Sequence, residues 1–63
     1  MKNLKLQAAR EKSGKTQAQV AKEVRITEVA YQRYEYDKRE PGVRTAIRIA
    51  RVLNSKVDDL FQE

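Results

Sequence analysis

The spacing of apolar and polar residues predicts a first helix over residues 4–13. Asn3 can cap its first turn, and Gly14 just beyond it can adopt the left-handed conformation that closes a helix. The stripe that we expect to face the core contains Leu6, Ala9 and Ser13. Arg10 lies beside this stripe, where a half-buried guanidinium would need an acidic partner.

Two short helices joined by a tight turn follow. Thr16 begins the second helix, and Gln19 three residues later fits a capping box. The core-facing residues of this helix are Val20, Ala21 and Val24. A turn at Arg25 leads to Thr27, which caps a third helix over residues 28–36. So short a connection forces a steep crossing of the two axes, which is more typical of a helix-turn-helix than of a bundle hairpin.

The third helix has two unlike faces. At about 100° per residue, one face gathers apolar and aromatic side chains, namely Ala30, Tyr31 and Tyr34. The opposite face gathers hydrogen-bonding groups and one valine, namely Glu28, Val29, Gln32 and Arg33. We expect the tyrosines to belong to the core rather than to serve as stacking platforms. The second face is therefore available to a partner.

The C-terminal half predicts two further helices. Pro41 disfavours helical geometry at Glu40 and indicates a loop over residues 36–42. A fourth helix over residues 43–53 has Ile49 flanking a core-facing stripe of Val43, Ala46, Ile47, Ala50 and Leu53. A short fifth helix covers residues 57–61. Because no alternating run or hairpin signal indicates a strand, the expected fold is all-α, with one domain over residues 1–63.

Composition argues against catalysis. The chain of 63 residues has no cysteine and no histidine, so a zinc–thiolate site and the commonest general base are both missing from its sequence. It also lacks a glycine-rich phosphate loop. Asp58 and Asp59 are adjacent at a helix start, which suits capping better than paired acid–base chemistry. We therefore expect no enzyme, no metal and no cofactor, and no pocket for a small-molecule ligand.

The charge balance suggests a polyanionic partner. Lys and Arg number 14 against 9 Asp and Glu, which gives a net charge of +5 and a pI near 9.8. Nucleic acid would suit such a domain, although a merely solvated basic surface would have the same composition. The N-terminal segment lacks the apolar run of a signal peptide, and no apolar stretch approaches the roughly 20 residues of a membrane span. We expect a cytoplasmic protein that does not enter membranes.

Five fragments in a fixed order resemble one family. They are T-Q-x-x-V-A-x-x-V at residues 16–24, I-T-x-x-x-Y-x-x-Y-E at 26–35, K-R-x-P at 38–41, T-x-x-x-I-A-x-x-L at 45–53 and D-D-L-F at 58–61. Together they resemble the Cro/C1-type helix-turn-helix family of phage and bacterial repressors, over residues 6–61. The resemblance implies a compact five-helix domain of the lambda-repressor-like type, with its third helix in the major groove of DNA.

The resemblance also implies roles for individual residues. The base-reading positions would be Glu28, Val29, Gln32 and Arg33. The contacts to the DNA backbone would come from Thr16, Gln17, Thr27, Tyr36, Lys38, Arg39 and Arg44. Arg10 and Glu35 match a recurring buried ion pair, which would supply the acid that Arg10 needs. One departure is Arg25, which replaces the usual glycine and would cost roughly 1 kcal/mol in a left-handed backbone.

Base chemistry fits these side chains, but each has a simpler alternative. Arg33 can pair with guanine, Gln32 or Gln17 with adenine, Val29 with a thymine methyl and Glu28 with a cytosine amine. Alternatively, Glu28 stabilises the helix by lying near the positive end of its dipole, and Gln32 is simply exposed to solvent. Arg33 could pair with a nearby acid or contact only a phosphate, and Gln17 could serve only as the first residue of a helix. Outward-facing arginines on the fourth helix, Arg44, Arg48 and Arg51, most simply form a solvated face, with Arg44 the one expected to contact DNA.

Two functions of different classes remain open. The first is a sequence-specific transcriptional regulator, a repressor that binds a near-palindromic operator as a homodimer. Its dimer contact would be an exposed cluster of Val57, Leu60 and Phe61, because so short a chain offers few other apolar surfaces. The second is a protein-interaction module on the same fold, such as an antitoxin or an adaptor, binding through that cluster together with Gln62 and Glu63.

Overall fold

The computed structural model describes residues 2–61, which form five α-helices and, within that range, no strand. The helices are α1 (Leu4–Lys12), α2 (Gln17–Val24), α3 (Glu28–Glu35), α4 (Val43–Val52) and α5 (Val57–Phe61). The predicted all-α fold is confirmed, and the predicted helix boundaries lie within one residue of the observed ones. Gln62 and Glu63, which the interaction-module hypothesis invokes, lie outside the described residues.

Local side-chain chemistry fixes where the first three helices begin. Asn3 and Thr27 each accept a hydrogen bond from the backbone N–H three residues later, at 3.0 and 3.1 Å. Thr16 and Gln19 form the predicted capping box, with the Thr16 hydroxyl accepting at 3.1 Å and the Gln19 amide oxygen accepting from the Thr16 N–H at 2.8 Å. Each cap contributes about 1 kcal/mol to the stability of the domain and fixes the first turn of its helix.

Left-handed residues end the helices and shape the loops. Gly14 and Asn54 adopt positive φ just after α1 and α4, which suits their small or amide side chains. Arg25 also has a left-handed backbone, with φ 70° and ψ 42°, so the condition under which a non-glycine residue was expected to cost stability is met. Asp37 adopts φ 58° in the loop after α3. The turn between α2 and α3 therefore carries the strain of a β-carbon, on the order of 1 kcal/mol.

The core joins all five helices. α2 packs against α3 and α4, while α1 packs against α3 and α5. Tyr31 is fully buried, as predicted for the apolar face of α3. The other members of the buried cluster are apolar residues of the other four helices and of the residue that follows α4: Leu6, Val20, Ala21, Val24, Ile49, Ala50, Leu53 and Leu60. α2 and α3 are thereby packed against each other and fixed to the other helices through this core.

Four predictions about the buried face were wrong. Ser13 is exposed, and its hydroxyl donates a hydrogen bond to the Ala9 carbonyl at 3.0 Å. Val43 and Ile47 were expected in the core but are 78% and 39% exposed, whereas Ile49, expected only to flank the core, is fully buried. The apolar arc of α4 is wider than the face its neighbours cover. Its Val43 and Ile47 edge is left uncovered.

Candidate nucleic-acid interface

The polar face of α3 is turned away from the core. Glu28 and Arg33 are exposed, Val29 is 57% exposed, and Gln32 is half-buried at the edge towards α2. Tyr31 on the opposite face anchors the helix. The exposed side of α3 is a ridge that carries carboxylate, amide and guanidinium groups and one valine. A major groove admits an α-helix, and its base edges are read by hydrogen-bonding and apolar groups of these kinds.

Two helix starts lie beside this ridge. Thr16 and Thr27 cap α2 and α3, and Gln17 is the first residue of α2. The first backbone N–H groups of a helix have no partner within it and carry the positive end of the helix dipole. Such ends bind phosphates directly. The structure thus presents amide donors next to the exposed face of α3, on residues that the sequence predicted to contact the DNA backbone.

The loop after α3 brings cations to the same helix. The Lys38 N–H donates to the Arg33 carbonyl at 2.8 Å, which holds the start of the loop against the last turn of α3. Lys38, Arg39 and Arg44 are all exposed. Tyr36 is 42% exposed, and its ring lies 5.6 Å from the Lys2 ammonium, within cation–π range. The loop therefore places Lys38 next to the end of α3, and Arg39 and Arg44 add exposed positive charge on the loop and on α4.

A buried ion pair fixes the end of α3 against α1. The Arg10 Nε lies 2.5 Å from the Glu35 Oε2, with the two side chains 14% and 2% exposed. Arg10 also donates through Nη2 to Glu35 Oε1 at 3.4 Å and through Nη1 to the Lys15 carbonyl at 3.0 Å. The hydrogen bond to Glu35 raises the pKa of Arg10 above its usual value. The pair that the resemblance implied is thus present, and it also ties down the linker before α2.

A chain of side-chain hydrogen bonds runs from this ion pair to the surface. The Gln17 Nε2 donates to Glu35 Oε1 at 3.1 Å, and the Gln17 Oε1 accepts from the Gln32 Nε2 at 3.3 Å. The Gln32 Nε2 also lies 3.4 Å from the Glu28 Oε2. Sequence reasoning missed this chain, although the spacing of Glu28, Gln32 and Glu35 places them on one side of α3. Only the crossing of α2 over α3 shows that Gln17 joins them.

Two further polar groups around the ion pair have simple structural roles. Lys15 stands where an aliphatic residue is usual in the family, and its ammonium lies 2.8 and 2.9 Å from the two carboxylate oxygens of Glu23. That pair secures the linker to α2 at the surface. The Tyr31 hydroxyl is buried and forms no hydrogen bond among residues 2–61. Burial first, and then the neighbouring Glu35 carboxylate, raise the pKa of this phenol.

The predicted dimer cluster is only partly exposed. Leu60 is 2% exposed and belongs to the core, so its assignment to an exposed contact was wrong. The single turn of α5 packs between α1 and α4, and the Asn3 Nδ2 donates to the Leu60 carbonyl at 2.8 Å, which ties the end of α5 to the start of α1. Instead, an apolar groove opens between α1, α4 and α5, lined by Leu4, Val43, Ile47, Val57 and Phe61.

Within residues 2–61 the structure contains neither a metal-ligand cluster nor a membrane-spanning helix. No group of three or more carboxylate, imidazole or thiol side chains in this part of the chain is placed to hold a metal ion. No helix among these residues is both long enough and apolar enough to cross a membrane.

Comparison with known proteins agrees with the geometry. The sequence model of a helix-turn-helix family matches residues 6–60. A protein of Archaeoglobus fulgidus, described as an uncharacterized HTH-type transcriptional regulator, is 40% identical over 52 residues, which span 82% of this chain and 74% of that protein. The matched region contains all of α2 and α3, the surface residues of the loop and the buried Arg10–Glu35 pair. The chain therefore belongs to the Cro/C1-type helix-turn-helix family of DNA-binding transcriptional regulators.

Proposed function

We propose that this chain is a repressor that binds a near-palindromic operator in double-stranded DNA as a homodimer. The observation that carries the proposal is the exposed ridge of α3, which the core, the caps and the Arg10–Glu35 pair hold rigidly beside two helix N-termini. The protein would act in the cytoplasm, on the nucleoid, without a catalytic step, a cofactor or a small-molecule ligand. The comparison with a transcriptional regulator supports this assignment.

In this proposal, phosphate contacts position the domain and α3 supplies the specificity. Thr16, Gln17 and Thr27 would meet phosphates through the starts of α2 and α3. On the other side of α3, contacts to the DNA backbone would come from Tyr36, Lys38, Arg39 and Arg44. Glu28, Val29, Gln32 and Arg33 would then lie against base edges in the major groove.

The apolar groove is the surface we assign to dimerisation. Leu4 and Val43 are 69% and 78% exposed, and they line the same groove as Ile47, so they form a contiguous apolar patch of the kind that marks interaction sites. Charged residues of both signs line the groove, namely Lys2 and Lys5 on one hand and Asp37 and Glu40 on the other. A two-fold interface brings each groove against its own copy in reverse order, so a lining of mixed sign can pair with itself. Val57 and Phe61 would form the floor of this contact.

Selection of bound sites from random duplex DNA at physiological salt tests the proposal. We expect a near-palindromic consensus whose half-sites are about 34 Å apart, one turn of the duplex. Binding to that site should weaken steeply as salt rises, because each neutralised phosphate releases counterions. Recovery of no consensus, or an affinity that hardly changes between low and moderate salt, would contradict the proposal.

A protein-interaction module is the second candidate, and the exposed apolar groove is the observation that favours it. A partner helix with apolar residues at helical spacing would bury Val43 and Ile47 as well as a second copy would. Affinity purification of the intact protein distinguishes the two. Recovery of a stoichiometric protein partner that protects this groove, without enrichment of DNA, would favour the module over the repressor.

A further inference from the structure

We propose that the buried Glu35 carboxylate, acting through Gln17, fixes the orientation of the Gln32 amide and makes Gln32 select a base with an exocyclic amine. Adenine and cytosine carry such an amine at the edge of the major groove, whereas guanine and thymine present oxygen there. The inference deepens the proposed function, because it assigns a base class to one position of the operator. Gln17 is a positioning residue in this scheme, whatever it also contributes to phosphate binding.

The first step is the orientation of the Gln17 amide. Glu35 is 2% exposed, and its Oε1 accepts from the Gln17 Nε2 at 3.1 Å. The opposite orientation would place the Gln17 oxygen against a buried carboxylate, so that two acceptors would face each other with no proton between them. Because an unpaired acceptor in a buried site is costly, the charge of Glu35 excludes that orientation. The Gln17 oxygen must therefore point away from Glu35, towards α3.

The second step is the orientation of the Gln32 amide, which the Gln17 oxygen determines. The Gln32 Nε2 lies 3.3 Å from the Gln17 oxygen and 3.4 Å from the Glu28 Oε2, and both of these atoms can only accept. The two hydrogens of the Gln32 amide group are thereby engaged within the protein. Turning the amide over would place its oxygen between two other oxygens. The Gln32 Oε1 is consequently the atom left free, and it is an acceptor.

The consequence concerns which base edges suit Gln32. A free glutamine can bind adenine through two hydrogen bonds, one donated to N7 and one accepted from the N6 amine. Here the donating half of the amide is occupied, so Gln32 can only accept. A base amine satisfies it, whereas guanine O6 or thymine O4 would bring oxygen against oxygen. The Glu28 carboxylate is exposed one helical turn earlier and reinforces the same preference.

Modified bases test the inference on the unaltered protein. The position read by Gln32 is first identified in the selected operator as the one whose preference disappears in Gln32→Ala. We expect adenine or cytosine there. At an adenine, replacement by 7-deazaadenine removes N7 and should change the affinity less than about twofold, whereas removal of the amine should weaken binding roughly 5- to 100-fold. Equal losses from both changes would show two-bond reading and overturn the inference, as would a guanine or thymine at that position.

A variant tests the role of Gln17 separately. In Gln17→Leu, the Gln32 amide loses its inner partner, so discrimination between amine-bearing and oxygen-bearing bases should fall towards unity at this one position. A lost phosphate contact would lower the affinity for all sequences equally and would leave that ratio unchanged. Gln7→Leu, the same substitution on α1, is the matched control and should keep the ratio. If Gln17→Leu also keeps it, the inference fails while the proposed function stands; if the unaltered protein selects no consensus, the proposed function itself fails.

Discussion

Removing Arg10 should destabilise the domain far more than removing a surface arginine. In Arg10→Leu, the Glu35 carboxylate would remain 2% exposed, with the Gln17 amide as its nearest remaining donor at 3.1 Å. Breaking a buried ion pair by removing one partner costs about 3–5 kcal/mol, because the stranded charge has lost its solvation. A domain this small has a stability near the lower end of the usual 5–15 kcal/mol. The variant should therefore be close to unfolding at room temperature.

Urea and thermal denaturation followed by far-ultraviolet circular dichroism measure this loss. A loss of about 3 kcal/mol lowers the melting temperature by roughly 12–24 °C in a domain of this length. The double variant with both Arg10 and Glu35 replaced by leucine is the decisive comparison. Because it strands no charge, we expect it to recover most of the loss, to within about 1 kcal/mol of the original protein.

Two results would refute this reasoning. A loss below about 1 kcal/mol in Arg10→Leu would mean that Glu35 is solvated and that the pair resembles a surface salt bridge. A double variant as unstable as the single one would mean that Arg10 acts through packing of its alkyl chain rather than by compensating a buried charge. Arg48→Leu on the exposed side of α4 is the matched control and should change the stability by less than about 0.5 kcal/mol.

Three other substitutions have defined outcomes. Arg25→Gly should raise the free energy of unfolding by about 1 kcal/mol in denaturation experiments, because it relieves a left-handed backbone at φ 70°. Tyr31→Phe should leave stability unchanged or raise it by up to about 1 kcal/mol in the same assay, because it removes a buried hydroxyl without a partner in the described structure. Ile47→Glu should abolish self-association in sedimentation velocity while the monomer remains folded, because it puts a charge into the apolar groove.

Each of these has a result that would contradict it. A loss of stability in Arg25→Gly would mean that the arginine side chain makes a contact worth more than the strain. A loss above about 1 kcal/mol in Tyr31→Phe would show that the hydroxyl bonds to a neighbouring group. Unchanged self-association in Ile47→Glu would place the dimer contact elsewhere. Ala18→Glu, at an exposed position of α2 outside the groove, makes the same change of one negative charge and is the control.

The helices and their starts could be predicted from sequence because their causes are local. Thr16 and Gln19 are three residues apart, so their capping box needs no tertiary information. The burial of Leu60 and the exposure of Val43 and Ile47 are different. Helical spacing shows which residues are apolar, but how much of that arc is covered depends on where the neighbouring helices pack. The predicted dimer cluster was partly wrong for this reason.

The candidate site divides in the same way. The exposed polar face of α3 follows from the periodicity that buries Tyr31. The hydrogen bonds that join Gln17 to Gln32 and Glu35 depend on the crossing of α2 over α3 and on side-chain rotamers. Neither has a signature in the sequence, since Gln17 has the same neighbours along the chain whether or not it reaches α3. Sequence reasoning therefore identified the side chains but not the polarity that connects them.

The most direct test of base reading by α3 compares two arginine variants on the selected operator and on its single-base-pair variants. Arg33→Ala removes a positive charge from the exposed polar face of α3, and Arg48→Ala removes the same charge from the exposed side of α4. We predict that Arg33→Ala weakens binding by roughly 1–3 kcal/mol and relaxes the preference at one position, while Arg48→Ala changes neither appreciably. Equal, uniform losses from both variants across all sequences would contradict base reading by α3.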